Sequence, residues 1–268
     1  MYTPVVREIM PTLTGIQELW ETLARDDPMW AVLTWPKKRG RWEPDEFFAT
    51  GADEIRCVMN RIRRLQLDVP RRTALDFGCG VGRITQALAF HFERVWGLDI
   101  SPTMVEEAER HNRFRRSCTY SVNCESDLRC FKSGSFDFVY SCITLQHLEQ
   151  ELALSYIREF VRLLSTHGLA VFQVPSHENA TFRSVAKRHI PSALRPEHPS
   201  GGNGCDESDP ATRIPMHCLP KPIVERTVLA AGGTIAACER DRCAGRQWTS
   251  YRYYVSKPRT RRPFTRSL

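Results

Sequence analysis

The sequence predicts an α/β chain: a doubly wound, mostly parallel sheet of seven strands that ends in an antiparallel hairpin, flanked by helices and preceded by a helical cap. Three observations carry this. Short apolar runs alternate with segments of helical period between residues 52 and 231. A glycine turn, Gly78-Cys79-Gly80-Val81-Gly82, follows the first of these runs. A second run, Val95-Trp96-Gly97-Leu98-Asp99-Ile100-Ser101, places an acid 23 residues beyond Asp76.

In chain order, Ile9, Leu13, Ile16, Leu19, Trp20 and Leu23 recur at helical spacing, and Trp30, Trp35 and Trp42 follow in a looser stretch. Residues 1–50 are therefore read as an N-terminal helical cap. A helix from about Ala52 to Leu67 would bury Ile55, Val58, Met59 and Ile62. Asp68 to Arg72 is a turn containing Pro70. The first strand is Thr73 to Phe77, and the helix after the glycine turn carries Ile84, Ala87, Leu88 and Phe92. Arg94 to Leu98 is the second strand. Ser101-Pro102 opens a helix with Ser as its cap and Pro at its first position. Glu106, Glu107 and Glu109 are expected to favour its early turns through the helix dipole.

Cys118 to Val122 and Phe136 to Ser141 make the third and fourth strands. A helix from about Glu149 to Leu164 ends at His167-Gly168, and Leu169 to Val174 is the fifth strand. Residues 175–220 hold seven prolines and three glycines and break the rhythm. They are read as a lid-like insertion, because long inserted loops in compact domains tend to be functional or disordered. Ile223 to Ala231 is the last helix. Thr234 to Glu239 and Ser250 to Ser256 form the closing hairpin, with Arg240, Arg242, Arg246 and Trp248 between them.

The chain has 268 residues, enough for one large domain or a domain with a lid. Hydrophobic residues make up 41%, which supports a sizeable core, yet no run of about 18 apolar residues appears, so no membrane span is expected. The first residues lack a basic-then-apolar leader, and a cytoplasmic location is expected. Ten cysteines occur without a C-x-x-C pair. They are read as reduced apolar fillers, with Cys238 and Cys243 the first exceptions to consider, and no metal is expected. The net charge of +7 falls to +2 without the five bases of residues 257–268, a tail expected to be disordered. A nucleic-acid partner is accordingly disfavoured, and oligomeric state is left open.

The glycine spacing separates two kinds of nucleotide pocket. Gly78, Gly80 and Gly82 give G-x-G-x-G, not the G-x-G-x-x-G of dinucleotide folds. Asp76 stands just before the first glycine. A carboxylate would repel a pyrophosphate but attract an ammonium or sulfonium. Asp99 lies where an acid accepts hydrogen bonds from two ribose hydroxyls. The stretch from Ala74 to Arg83 closely resembles motif I of the class I S-adenosylmethionine-dependent methyltransferases of small-molecule type. The resemblance runs through most of residues 45–175, since further motifs follow in the right order.

The resemblance implies a Rossmann-like domain over residues 51–256, with S-adenosylmethionine as cofactor and S-adenosylhomocysteine as product. It places Asp76, Gly78, Cys79, Gly80, Gly82 and Arg83 around the methionyl and ribose portions. Asp99, Ile100, Ser101 and Met104 would serve the sugar and adenine. The segment Asn123-Cys124-Glu125-Ser126-Asp127-Leu128 departs from the family's usual spelling; Asn123 and Asp127 are the preferred adenine contacts, with Glu125 an alternative and Leu128 beside them. Ser141, Cys142 and Ile143 would emerge beneath the sulfonium. His147 is the catalytic candidate, read as a base, a pocket wall or a packed histidine. His177 and Glu178 are secondary candidates. The expected reaction is direct displacement of the methyl by an N, O or C nucleophile of a small molecule. The strand-four end carries no Asn-Pro-Pro-Tyr or Asp-Pro-Pro-Tyr, which lowers the nucleic-acid and polypeptide-amide readings. The alternatives are an RNA or protein methyltransferase, a catalytically silent cofactor-binding subunit, and, opposed by the glycine spacing, a nicotinamide oxidoreductase.

Overall fold

Strands buried on both faces of a sheet read as near-continuous apolar runs, and the first and fourth strands show this, broken by Asp76 in one and Asp137 in the other. The computed structural model describes residues 13–179 and 214–257. Its strands are β1 (Thr73–Phe77), β2 (Arg94–Asp99), β3 (Cys118–Val122), β4 (Phe136–Ser141), β5 (Leu164–Glu178), β6 (Thr234–Asp241) and β7 (Trp248–Ser256). They form one sheet in the order β3-β2-β1-β4-β5-β7-β6. β1 to β5 are parallel, and β7 enters antiparallel between β5 and β6. Strand order reverses between β1 and β4, which opens a crevice at their carboxyl ends. Every β4 residue is buried.

Helices cover both faces. The described helices are α1 (Leu13–Asp26), α2 (Pro28–Val32), α3 (Pro44–Arg64), α4 (Arg83–Leu88), α5 (Pro102–Arg110), α6 (Gln150–Leu163) and α7 (Lys221–Ala230). Ile55 and Val58 of α3, Ile84 of α4 and Ala108 of α5 pack with Phe138 and Tyr140 on one face. Tyr156, Ile157 and Phe160 of α6 and Val224 of α7 pack with Phe172 and Tyr253 on the other. A third cluster joins the cap to the crevice, with Leu23, Trp30, Trp42 and Phe47 against Val81 of the glycine turn and Met104 of α5.

The boundaries differ from expectation where local chemistry is stronger than periodicity. α3 begins at Pro44 rather than Ala52, because Pro sits at its first turn and Asp45 and Glu46 favour the positive end of its dipole. The expected cap boundary near residue 50 thus falls inside α3. β5 starts directly after α6 and runs to Glu178, since β7 offers it partners as far as Trp248. The expected insertion therefore begins in a strand, and its residues 180–213, like the tail 258–268, lie outside the described residues. The acids of α5 are not in its first turn. That end is instead held by Glu21 of α1, whose carboxylate accepts from Ser101 Oγ at 2.6 Å and from Thr103 N at 3.2 Å and Oγ1 at 2.5 Å. Among the described residues no helix is long and apolar enough to cross a membrane.

Gly82 is constrained twice. Its φ is +83°, and a Cβ there would stand 2.5 Å from the Tyr120 hydroxyl. Gly82→Ala is expected to lower unfolding free energy by roughly 1–3 kcal/mol in urea titrations. An unchanged midpoint would show that the turn relaxes freely.

Candidate active site

The switch point of the sheet is roofed by the cap, and together they enclose a cleft of about 970 Å³, its open mouth included. Asp76, Gly78, Cys79, Gly80 and Arg83 line one part of it. Asp99, Ile100, Met104 and Asn123 line another, and Cys142, Ile143 and Thr144 lie along the end of β4. Leu13, Ile16, Trp20, Ala31 and Val32 form the cap's share of the wall.

The glycine turn is built by backbone bonds. Gly78 N and Cys79 N both donate to Leu98 O, at 2.8 and 2.9 Å, and Gly82 N donates to Cys79 O at 2.9 Å. Gly78 has φ +75°, and a Cβ there would strike the Thr144 side chain. Gly80 has φ +50°, and its Cβ would stand 2.5 Å from Val32 of the cap. Absence of side chains thus lets the cap and the β4 end close onto the turn.

Two acids face the cleft in different hydrogen-bonding settings. Asp99 accepts from Gly80 N at 2.8 Å through Oδ2 and from Ser101 N at 3.0 Å through Oδ1. A carboxylate offers about four acceptor positions, so capacity for further donors is left. Burial raises its pKa, opposed by those backbone donors. Asp76 accepts from Thr85 Oγ1 at 2.7 Å. Burial pushes its carboxyl up to about 7, against the Thr85 bond and the nearby Arg83 charge.

Arg83 pairs with Glu54 at 2.9 Å and reaches Thr50 at 3.4 Å, while its buried Nε has no partner among the described residues. Glu54 also accepts from Tyr140 Oη at 2.5 Å and Arg252 Nη2 at 3.2 Å. Burial alone would raise the Glu54 carboxyl, but the Arg83 and Arg252 charges bring it down to about 2.

Of the residues predicted to bind the cofactor, Asp76, Gly78, Cys79, Gly80, Arg83, Asp99, Ile100, Met104, Asn123 and Cys142 line the cleft. The others stand behind the wall. Gly82 packs on Tyr120, and Ser101 caps α5 by accepting from Met104 N at 3.1 Å. Asp127 pairs with Arg129 at 3.2 Å, Leu128 is core, and Ser141 Oγ donates to Phe77 O at 3.0 Å. Asn123 lines the cleft while its amide donates to Glu125 O and Asp127 O, at 3.2 and 3.3 Å.

His147 also lies behind the wall. Its Nδ1 is 2.9 Å from Pro215 O, and a carbonyl only accepts, so Nδ1 carries the proton. Nε2 then accepts from Gln146 Nε2 at 3.1 Å. The ring meets Trp20 of the cap edge-on at 5.2 Å. Burial pulls its pKa down to about 4, opposed by the Pro215 carbonyl and assisted by His217. Of the secondary candidates, His177 and Glu178 are both exposed.

Sequence reasoning placed Ile143 at the end of β4, where it lines the cleft, but did not foresee its strain. Ile143 has φ +60°, an outlier for a β-branched side chain. Its N–H donates to Gln173 Oε1 at 3.0 Å, and Gln173 Nε2 donates to Ser250 Oγ at 2.6 Å. Gln173 was the available signal, a polar residue inside the otherwise apolar run of β5. Tyr156 and the cap residues were also missed, because helical period does not reveal what a helix covers.

Residues 75–172 match the family model of a methyltransferase domain. Juvenile hormone acid O-methyltransferase of Bombyx mori is 30% identical over 121 residues, covering 43% of this chain and 42% of that protein. A ubiquinone biosynthesis O-methyltransferase of Xanthomonas oryzae is 30% identical over 118 residues, or 44% and 48%. The chain matches less than half the length of either relative. Magnesium protoporphyrin IX methyltransferase of Synechocystis PCC 6803, solved with bound SAH, superposes with a TM-score of 0.61 at 18% identity, covering 91% of this chain and 99% of that one. A SAM-dependent methyltransferase from Leishmania major gives 0.61 at 16% identity, covering 91% and 82%. At these identities the structural likeness is one of fold.

Two outcomes are expected. The His147 resonances should stay those of the neutral Nδ1–H tautomer from about pH 8 down to about pH 5 in an NMR titration. The depressed value means that stability is fully present above 6.5 and declines as pH falls toward about 4. An ordinary midpoint near 6.5 would contradict the buried placement. Glu21→Gln should cost about 0.5–2 kcal/mol in chemical denaturation, the scale of a lost helix cap. Burial would raise the Glu21 carboxyl, but bonds from Ser101 and Thr103 lower it to about 2. Its contribution is therefore present above 4.5 and lost as pH falls toward 2.

Proposed function

We propose, from the premise that residues 75–172 are a class I S-adenosylmethionine-dependent methyltransferase domain, that this chain methylates an N, O or C nucleophile of a small molecule by direct displacement. The carrying observation is the cleft itself: a backbone turn between two buried acids at the switch point of the sheet, under a cap.

The residues present fit the cofactor. Asp99 keeps acceptor capacity for two vicinal hydroxyls, and charged acceptors make strong bonds. Asp76 is a carboxyl whose ionisation a cationic ammonium would favour. Arg83 holds an unspent buried Nε beside the same stretch of wall. Ile100 and Met104 offer apolar surface for the adenine, and Asn123 a polar edge. When bound, S-adenosylmethionine supplies an already activated methyl group.

The protein's task is then alignment and exclusion of water. Alignment alone supplies on the order of 7–11 kcal/mol. Trp20, Ile16 and Leu13 of the cap cover one side of the cleft, and Cys142, Ile143 and Thr144 form the wall at the β4 end. We assign His147 to holding that wall beneath Trp20. With both ring nitrogens engaged, its use as a base would require Gln146 to release Nε2. An amine acceptor with a free lone pair needs no such base. The small-molecule class is supported by the cap over the cleft and by the curated relatives, named for acceptors of that class.

Calorimetry should show S-adenosylhomocysteine binding and no NAD binding. Asp99→Ala should weaken that binding by roughly 10- to 100-fold, the worth of one or two charged hydrogen bonds; unaltered affinity would refute the sugar assignment. Labelled methyl should enter a metabolite extract rather than RNA or protein, and the reverse partition would transfer the reading to a macromolecular acceptor. Because the ammonium selects ionised Asp76, affinity should rise with pH through about 7 and flatten in Asp76→Asn. An equally steep pH profile in the variant would assign that dependence to another group.

A further inference from the structure

Two thiols far apart in sequence meet beside the cleft. Cys142 stands in its wall at the end of β4. Cys243 lies in the β6–β7 loop and is exposed. Their sulfurs and a Glu54 carboxylate oxygen all lie within 4.8 Å of one another. That triad looks like a metal site, but its centre is taken. Arg252 Nη2 reaches Cys142 Sγ at 3.7 Å, Cys243 Sγ at 3.4 Å and Glu54 Oε1 at 3.2 Å. A guanidinium thus stands where a metal cation would sit, and Arg83 already supplies Glu54 with a second positive partner.

We propose that Cys142 and Cys243 are an oxidation site, closing to a reversible disulfide that weakens cofactor binding. The second half of this rests on the cofactor reading of the cleft. Cys243 is placed to react first, since it is exposed and a peroxide reaches it before the sulfur in the wall. Its partner is held as a thiol: the hydrogen bond to Cys243 and then burial push the Cys142 pKa well up.

The chemistry balances with a hydroperoxide as oxidant. The Cys243 thiolate attacks the O–O bond; an S–O bond forms, the O–O bond breaks, and the other oxygen leaves as water or alcohol after taking a proton. The sulfur of Cys142 then attacks Cys243. The S–S bond forms, the S–O bond breaks, and the departing hydroxide takes the Cys142 proton as water. Two thiols are oxidised and one hydroperoxide is reduced.

The sulfurs must close to about 2.05 Å. The Cys142 end is braced, because its neighbour Ser141 pairs with Phe172 in the sheet and hydrogen-bonds Phe77 O. The loop therefore moves inward against Arg252. A disulfide removes both sulfur partners of that guanidinium, which also grips Glu54, the partner of Arg83 in the cleft wall. Oxidation is thereby transmitted to the part of the wall assigned to the methionyl portion.

The test treats the full reduced chain with hydrogen peroxide, maps peptides by mass, and measures S-adenosylhomocysteine affinity before and after. The expected result is a Cys142–Cys243 cross-linked peptide, lighter by two hydrogens and restored by dithiothreitol. Affinity should fall about tenfold, the scale of one lost buried contact. Cys243→Ser should bind as the reduced parent does and keep that affinity under peroxide. A missing cross-link overturns the disulfide. A cross-link with unchanged affinity, or an equal loss in Cys243→Ser, overturns its effect on the cleft. A reduced chain that does not bind S-adenosylhomocysteine overturns the cofactor reading, and the affinity effect with it, while the cross-link is still scored by mass.

Discussion

The Asp99 carboxylate is the joint on which the site depends. One oxygen takes the N–H of Gly80 and the other the N–H of Ser101. It thereby ties the glycine turn after β1 to the entry of α5 after β2. Backbone donors are fixed in direction, so they fix the carboxylate in turn. The cost is a buried acid, and Asp76 adds a second one, raised by its own burial and in part by the Asp99 charge. A protein retains such a pair where a donor-rich or cationic ligand completes it. Cleft, turn and charge are three aspects of one arrangement.

The cap is bound to this joint rather than resting on it. Glu21 satisfies the first turn of α5, and Ser101 serves both Glu21 and Met104 N. Trp20 rests on His147, which the Pro215 carbonyl holds at Nδ1. Val32 occupies the space that a side chain at position 80 would need. Closure of the cleft is thus distributed over three contacts made by α1 and α2, each at a different edge of it. An acceptor must enter between these elements or move one of them.

Much of the fold was legible because its signals are local. Apolar runs marked the strands, Ser101-Pro102 marked a helix start, and the three glycines marked the turn. Element ends were less legible: α3 gains two turns from Pro44, and β5 gains length from β7, a partner over seventy residues away. The cleft-lining residues were readable where type and spacing both speak, as with Asp76, Gly78 and Asp99. His147 was harder, since a histidine's role depends on what its nitrogens meet, and Pro215 is remote in sequence. The Ile143 strain is signalled only by the distant Gln173, and the Cys142–Cys243–Arg252 cluster has no local signature. They arise only when β4, β7 and the last hairpin loop are brought together.

The most direct test of the account is a crystal structure of the chain with S-adenosylhomocysteine. The account predicts both ribose hydroxyls on the Asp99 carboxylate, the amino group at the Asp76 end of the cleft, and the sulfur beside Cys142 and Ile143. A nucleoside seated elsewhere, or a cleft filled by the cap's own side chains with the ligand excluded, would contradict it.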